Sequence, residues 1–532
     1  MANPSKPLYF ILPRVPMPED AAPGTVGSKA YGLLRLMRLG LSVPPGFVLS
    51  TDLCREYFAG NGQMPPAARD LVRAGLARLE EATGCRFGGE RRPLLLSVRS
   101  GAPVSMPGMM ETILNVGLCE RTVHGLIRLT GNPRLARDCY RRLVRDFTEV
   151  VYGISAAPFE ALIEQACTEL SLSDARELGT AALDGIIEDS LALAAARAGH
   201  PFPQEPMDQL IQAVEAVFRS WNSDKARHYR RMNDIGENLG TAVTVQAMVF
   251  GNSGSQSGAG VGFTRDPATG EPGLYLDFVF NGQGEDVVAG RHPAEDAGRL
   301  GERLPSVAAE LKRLPQVLER EFQDMQDFEF AIESGRLYLL QTRAGKRTPW
   351  AALRIAVDLA REGIITREEA LARLQGMTLE TLERTRLSGT AAPLASAVPG
   401  GIGVASGSIA LDSERAAQLA AEGRPVVLVR HDIETDDIEG IAAATGILSA
   451  SGGRTSHAAV VARQLGKVCL VGCHGLRIDD DGAGCSLDGV HLTEGDEITL
   501  DGNTGTVYRG RVEVIHERPE AELAEVARWR SA

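Results

Sequence analysis

The chain has 532 residues, 44% of them hydrophobic and 23% charged, which is the composition of a soluble globular protein several domains long and excludes extensive disorder. A net charge of -13 argues against a general affinity for nucleic acid or anionic membrane. No apolar run approaches a membrane span, and the N-terminal Tyr9-Phe10-Ile11-Leu12 run, broken by Pro13, is too short for a signal peptide, so a cytoplasmic protein is expected. Eight cysteines without paired spacing suit a reducing compartment. Cys469, Cys473 and His474 lie close together, but no second ligand pair follows, so they read as buried structural residues.

Residues 1 to about 102 read as mixed α/β. Gly27-Ser28-Lys29 joins a glycine-bearing loop to an amphipathic helix, where Lys29 is placed either to meet a nucleotide phosphate or to sit in solvent. Leu94 to Ala102 reads as a buried strand that delivers Arg99 at its end, a fork suited to phosphate oxygens. Met106, Met109 and Met110 follow in a loop, as core filling or as a lid. From about 115 to 233 the apolar spacing turns helical, and the basic Tyr140-Arg141-Arg142 and Tyr229-Arg230-Arg231 read mostly as solvated charge.

Strands resume at 241–250. The glycine- and serine-rich run 251–267 predicts a flexible hairpin, either a plain turn or one whose N–H groups wrap phosphates, though no Gly-Lys-Ser/Thr closes it as a Walker loop. In 324–332, alternation puts Asp327 and Glu329 on one face, and the strand after Ser334-Gly335 brings Gln341 and Arg343 to one face. Carboxylates, an amide oxygen and a guanidinium gathered on a hairpin would bind Mg²⁺ bridged to nucleotide phosphates. Residues 349–387 read as helices, and 388–403, rich in Gly, Ala, Pro and Ser, as a hinge. In Ser451-Gly452-Gly453-Arg454-Thr455-Ser456-His457, Thr455 or Ser456 can cap a helix, which puts His457 in a first turn whose free N–H groups would hold a phosphoryl group on the imidazole.

These stretches resemble the nucleotide-binding and phosphohistidine parts of pyruvate, phosphate dikinase, among the phosphoenolpyruvate-utilising enzymes. The resemblance is carried by SVRSGAPVSMPGMMETILNVG (97–117), GFTRDPATGE (262–271), NGQGEDVVAG (281–290), QDFEFAIESGRLYLLQTRAGKRT (326–348) and GGRTSHAAVVARQLGK (452–467). It implies an α/β multidomain protein: an ATP-grasp nucleotide-binding domain over 1–347 with a helical insert at about 115–233, a helical linker and hinge over 348–394, a swivelling β/α phosphohistidine domain over 395–512, and a tail over 513–532. It also implies an ATP and Mg²⁺ site of Lys29, Arg99, Asp327, Glu329, Gln341 and Arg343, with Glu285 added. Glu329 and Gln341 are the metal ligands, Arg99 and Arg343 act in catalysis, His457 is phosphorylated, and Thr455 matches a regulatory phosphorylation position of plant relatives. Arg454 stands where the family usually has Met; it either stabilises the charged adduct or points to solvent.

The family's large acceptor barrel finds no counterpart in the few residues after Tyr508, so only the ATP half-reaction is expected on this chain. Expected partners are ATP and inorganic phosphate, an acceptor-domain protein on a separate chain, and a second copy of this chain; neither nucleic acid nor membrane is expected. The alternatives are a catalytically idle nucleotide-binding regulator and a small-molecule kinase of the same family, for whose acceptor domain 348–395 is too short.

Overall fold

The computed structural model describes residues 6–104, 106, 109–172, 175–284, 297–389, 392–433, 437–454, 456–479 and 482–531, with backbone alone for Ala297, His457 and Gln464. The chain divides into two compact units, Met1–Ser253 with Tyr338–Gln341, and Gly254–Leu337 with Thr342–Ala532. Residues 338–341 go with the first unit because Leu339 N–H donates to Ser42 O at 2.8 Å and Arg99 reaches Leu340 O at 3.2 Å.

The first unit is built on a five-stranded sheet in the order Leu8–Ile11, Gly46–Leu49, Ala242–Ala247, Leu96–Gly101 and Thr112–Val116. Every neighbouring pair is antiparallel. Six helices between Glu120 and Met232 form the insert. The longest, Pro133–Tyr152, starts where Asn132 accepts from Leu135 N–H with Pro at the first turn, and stops at left-handed Gly153. Of the arginines expected to be solvated here, Arg231 is exposed and the other three are not. Arg141 and Arg142 are buried against Asp138, and Arg230 is buried between Glu237 and the Trp221 ring, 4.1 Å from its centroid. The carboxylates that make this burial tolerable lie three, four and seven residues along the chain, so spacing alone could have flagged them.

In the second unit, a four-stranded sheet has the order Arg336–Ala344, Gln326–Glu333, Gly258–Arg265 and Pro272–Phe280. Here the expected phosphate-wrapping hairpin is corrected: residues 258–262 lie inside a strand. Gly258, Gly260 and Gly262 recur at the strand period, and a Cβ on them would fall 2.2, 2.5 and 2.4 Å from the rings of Phe278, Phe330 and Phe328. These glycines leave room for aromatic packing on that face, and Phe278 and Phe330 stack with centroids 5.9 Å apart.

The larger sheet has eight strands, with Val404–Ala410, Val426–Arg430, Gly446–Ser449 and Val468–Val471 running parallel at its centre. Helices Ser413–Ala421, Ile438–Ala443 and His457–Gln464 are the crossovers between them. The expected hinge is shorter than 388–403, because Ala395–Ser396 and Val398–Gly401 are the two edge strands of this sheet. The tail over 513–532 is tied down. Val514–Glu517 pairs with Arg384–Leu387, and helix Glu520–Ser531 buries Val526 against Leu353, Ala356 and Leu359 of Pro349–Arg361. Local composition did show the helix, but not the apolar surface between 349 and 382 that needs covering.

Among the described residues no helix is long and apolar enough to cross a membrane. All eight cysteines are unpaired. Burial pushes the Cys469 thiol up to about 12 and the Cys473 thiol up to about 11, so both are inert apolar fillers, and no cluster of three or more His, Cys, Asp or Glu able to hold a metal occurs among the described residues.

Candidate functional site

In the first unit the site residues start at a forced kink. Gly27 has φ 78°, and a Cβ on it would fall 1.9 Å from Gly101 O, so only glycine lets the loop press this closely on the end of the Arg99 strand. Ser28 fixes the junction, since its N–H and its hydroxyl both donate to Ala102 O at 2.9 Å. Lys29 follows, half-buried, in the first turn of the helix proper. Arg99 stands opposite Thr244 on one side and Thr112 on the other. Its guanidinium donates to Leu340 O at 3.2 Å and to Gln341 Oε1 at 3.4 Å. Thr244 Oγ1 is buried with no hydrogen-bond partner among the described residues, an unspent polar atom directly across the sheet from Arg99. Of the predicted set, Lys29, Arg99 and Gln341 thus belong to this unit. Met106 is buried in its core with Met109 and Met110 packed against it, which favours core filling for those thioethers.

The second unit carries Asp327, Glu329 and Arg343. Register places Asp327 opposite Phe263 and Glu329 opposite Val261; on the other side of that strand, Tyr275 is opposite Phe263 and Asp277 opposite Val261. One face therefore shows Tyr275, Phe263 and Asp327 in one row and Asp277, Val261 and Glu329 in the next, while the Phe–Gly packing occupies the other face. Asp327 is 4% exposed and accepts from Arg343 Nε at 2.8 Å. Burial pushes its carboxyl up, with Glu329 adding to that, against the pull of Arg343 and the more distant Arg463. A buried acid held in this balance favours a cation nearby.

The histidine segment packs on this same face. Strand Gly446–Ser449 ends, the chain turns through Gly452 and Gly453, and the helix starts at His457 with Ser456 as its N-cap, whose Oγ accepts from Ala459 N–H at 3.4 Å. His457 thus sits at a helix start beyond the carboxyl end of a parallel strand, where N–H groups and the helix dipole favour a phosphoryl group. Ahead of it, a Cβ on Gly453 would fall 2.9 Å from Asp277 Oδ2, and the Arg454 guanidinium lies 5.5 Å from the Tyr275 ring centroid. On the helix, Arg463 is 1% exposed, donates to Gly400 O at 3.0 Å and Arg454 O at 2.8 Å, and lies 5.8 Å from the Phe263 ring. Asp327, Asp266 and Asp277 act on its buried charge.

Tyr275, Asp277 and Arg463 escaped the reading of the sequence. Alternation puts Tyr275 and Asp277 on one face, yet which strand they neighbour is settled only by a sheet order that sequence does not give. Glu285 and Thr455 lie outside the described residues.

Residues 61–301 match the family model described as pyruvate phosphate dikinase, AMP/ATP-binding domain, and residues 423–505 match that of the PEP-utilising enzyme, mobile domain. The relatives with these features are pyruvate, phosphate dikinases. That of Clostridium symbiosum is 43% identical over 509 residues, 95% of this chain and 58% of the relative. That of Rhizobium meliloti (strain 1021) is 42% identical over 521 residues, with the same two shares. The chloroplastic protein of Flaveria trinervia is 41% identical over 490 residues, 91% of this chain and 51% of the relative. The chain thus spans little more than half the length of the curated relatives it matches.

Proposed function

We propose that this chain carries the ATP half-reaction of a pyruvate, phosphate dikinase-type phosphotransferase, with an ATP-grasp nucleotide-binding domain and a swivelling domain that bears His457. The His457 imidazole attacks the β-phosphorus of ATP and AMP leaves; inorganic phosphate then attacks the γ-phosphorus and pyrophosphate leaves, so the β-phosphoryl group stays on His457. Lys29, Arg99 and Arg343 supply the cations for phosphate oxygens, and Asp327 orients Arg343. Glu329 and Gln341 are the residues whose oxygens would hold Mg²⁺, and the ion would supply neutralisation of phosphate charge. Transfer onward to pyruvate or another acceptor, held outside these two units on a separate protein or domain, completes the proposal.

The observation that carries this reading is that the segment from Gly453 to Arg463 packs on the sheet face that bears Asp327, Glu329 and Asp277. ATP labelled in the β-phosphate, given with Mg²⁺ and phosphate, should mark the wild type and leave His457→Ala unmarked. Equal labelling of the two would remove the proposal. Pyrophosphate release that does not depend on added phosphate would remove inorganic phosphate as the co-substrate.

A further inference from the structure

We propose that Arg454 is a positioning residue whose guanidinium, laid on the Tyr275 ring while Arg463 holds its carbonyl, clamps the His457 segment to the acidic sheet face and so sets how often His457 stands there. The inference rests on the proposed histidine chemistry for its meaning, but not for its test.

Two anchors of different kinds meet at this one residue. The Arg454 side chain crosses to strand Pro272–Phe280 and lies 5.5 Å from the Tyr275 centroid. Its main chain is held from behind, because Arg463 Nη2 donates to Arg454 O at 2.8 Å and Nη1 to Gly400 O at 3.0 Å. Arg463 is buried and makes no ion pair within hydrogen-bond range among the described residues, and its Nε has no hydrogen-bond partner there. It is therefore a rigid peg between the edge strand Val398–Gly401, the turn before His457 and the Phe263 ring.

The close approach at Gly453 completes the clamp, since any side chain there would strike Asp277. The charged groups that act on Tyr275 are Asp266 and Glu271, then Arg454 itself and Arg354. The cation is thus attracted to an electron-rich ring, a contact that weakens as soon as the segment lifts. Cation–π contacts at half-exposed positions shift an equilibrium by about two- to fivefold, which suits a catch that must open every turnover.

Single-turnover labelling of His457 by β-labelled ATP is the first measurement. Arg454→Met and Tyr275→Leu should each slow it about threefold at saturating ATP and leave the KM for ATP unchanged, and the double variant should be no slower than the slower single one. Tyr275→Phe keeps the ring and should stay close to wild type. Losses that multiply in the double variant, or that lie in KM alone, would overturn the clamp. Amide exchange of residues 450–458 in the nucleotide-free full chain gives an independent reading. It should rise about threefold in Arg454→Met and Tyr275→Leu and not in Tyr275→Phe; unchanged exchange in the first two would overturn the clamp whether or not labelling occurs. A wild type that is never labelled would count against the proposed function, and the exchange result would still decide the clamp.

Discussion

Asp138 shows how a single residue decides whether a buried charged cluster stabilises the fold or opposes it. Its Oδ1 accepts from Arg141 Nε at 3.1 Å and Nη2 at 2.7 Å, and its Oδ2 from Arg142 Nε at 3.0 Å. Burial opposes the ionised form, but Arg142 and Arg141 outweigh it and hold the carboxyl well below the usual carboxylate range. A carboxyl depressed on folding stabilises the native state above its unfolded pKa of about 4, and that contribution is lost as pH falls further. Asp138→Asn removes the buried carboxylate that Arg141 and Arg142 share and should cost about 3 kcal/mol at neutral pH. Urea unfolding followed at pH 7 and again near pH 3 checks this. The gap between wild type and variant should narrow on acidification, and a gap that stays constant would show that ionised Asp138 is not its source.

At the level of strands and helices, the glycine-rich run separates what the sequence disclosed from what it concealed. Density of Gly and Ser from 251 to 262 pointed to a loop, yet Gly258, Gly260 and Gly262 alternate because each faces an aromatic ring. The rings were legible as every second residue in 276–280 and 328–332; their pairing with the glycines needed the register Phe328–Gly262 and Phe330–Gly260, which is a long-range fact. By contrast, the hairpin that carries Asp327 and Arg343 was legible from alternation alone, since its turn at Ser334 and Gly335 has both φ positive and joins its strands directly. The start of the His457 helix was equally legible, because a cap is a local property. Gly260→Ala tests the packing. Its Cβ would fall 2.5 Å from the Phe330 ring, so the variant should lose about 2 kcal/mol, and Phe330→Leu in the same chain should return part of that loss. Equal destabilisation with and without the smaller partner would place the strain elsewhere.

Across the whole molecule, the two units have cores of their own. The first is organised by Phe47, Leu96, Val98, Leu143, Phe147 and Val245, among others, while the second has separate clusters around Val427 and Leu448, around Leu428 and Ile447, and around Leu353 and Val357. Units with separate cores can lose their structure as separate cooperative blocks. Differential scanning calorimetry of the full chain should therefore resolve two transitions. Asp138→Asn, in Met1–Ser253, should lower one of them by several degrees and leave the other in place, while Gly260→Ala should do the reverse. The assignment is internal to the experiment, because each variant marks its own block. The helix Glu520–Ser531 extends the test: it covers Leu353, Ala356 and Leu359, and Arg361 Nε donates to Glu525 at 2.9 Å, so Val526→Asp should lower the transition that Gly260→Ala lowers. One transition moved by all three variants would mean that the chain unfolds as a single block, and the division at 253/254 would then carry no thermodynamic weight.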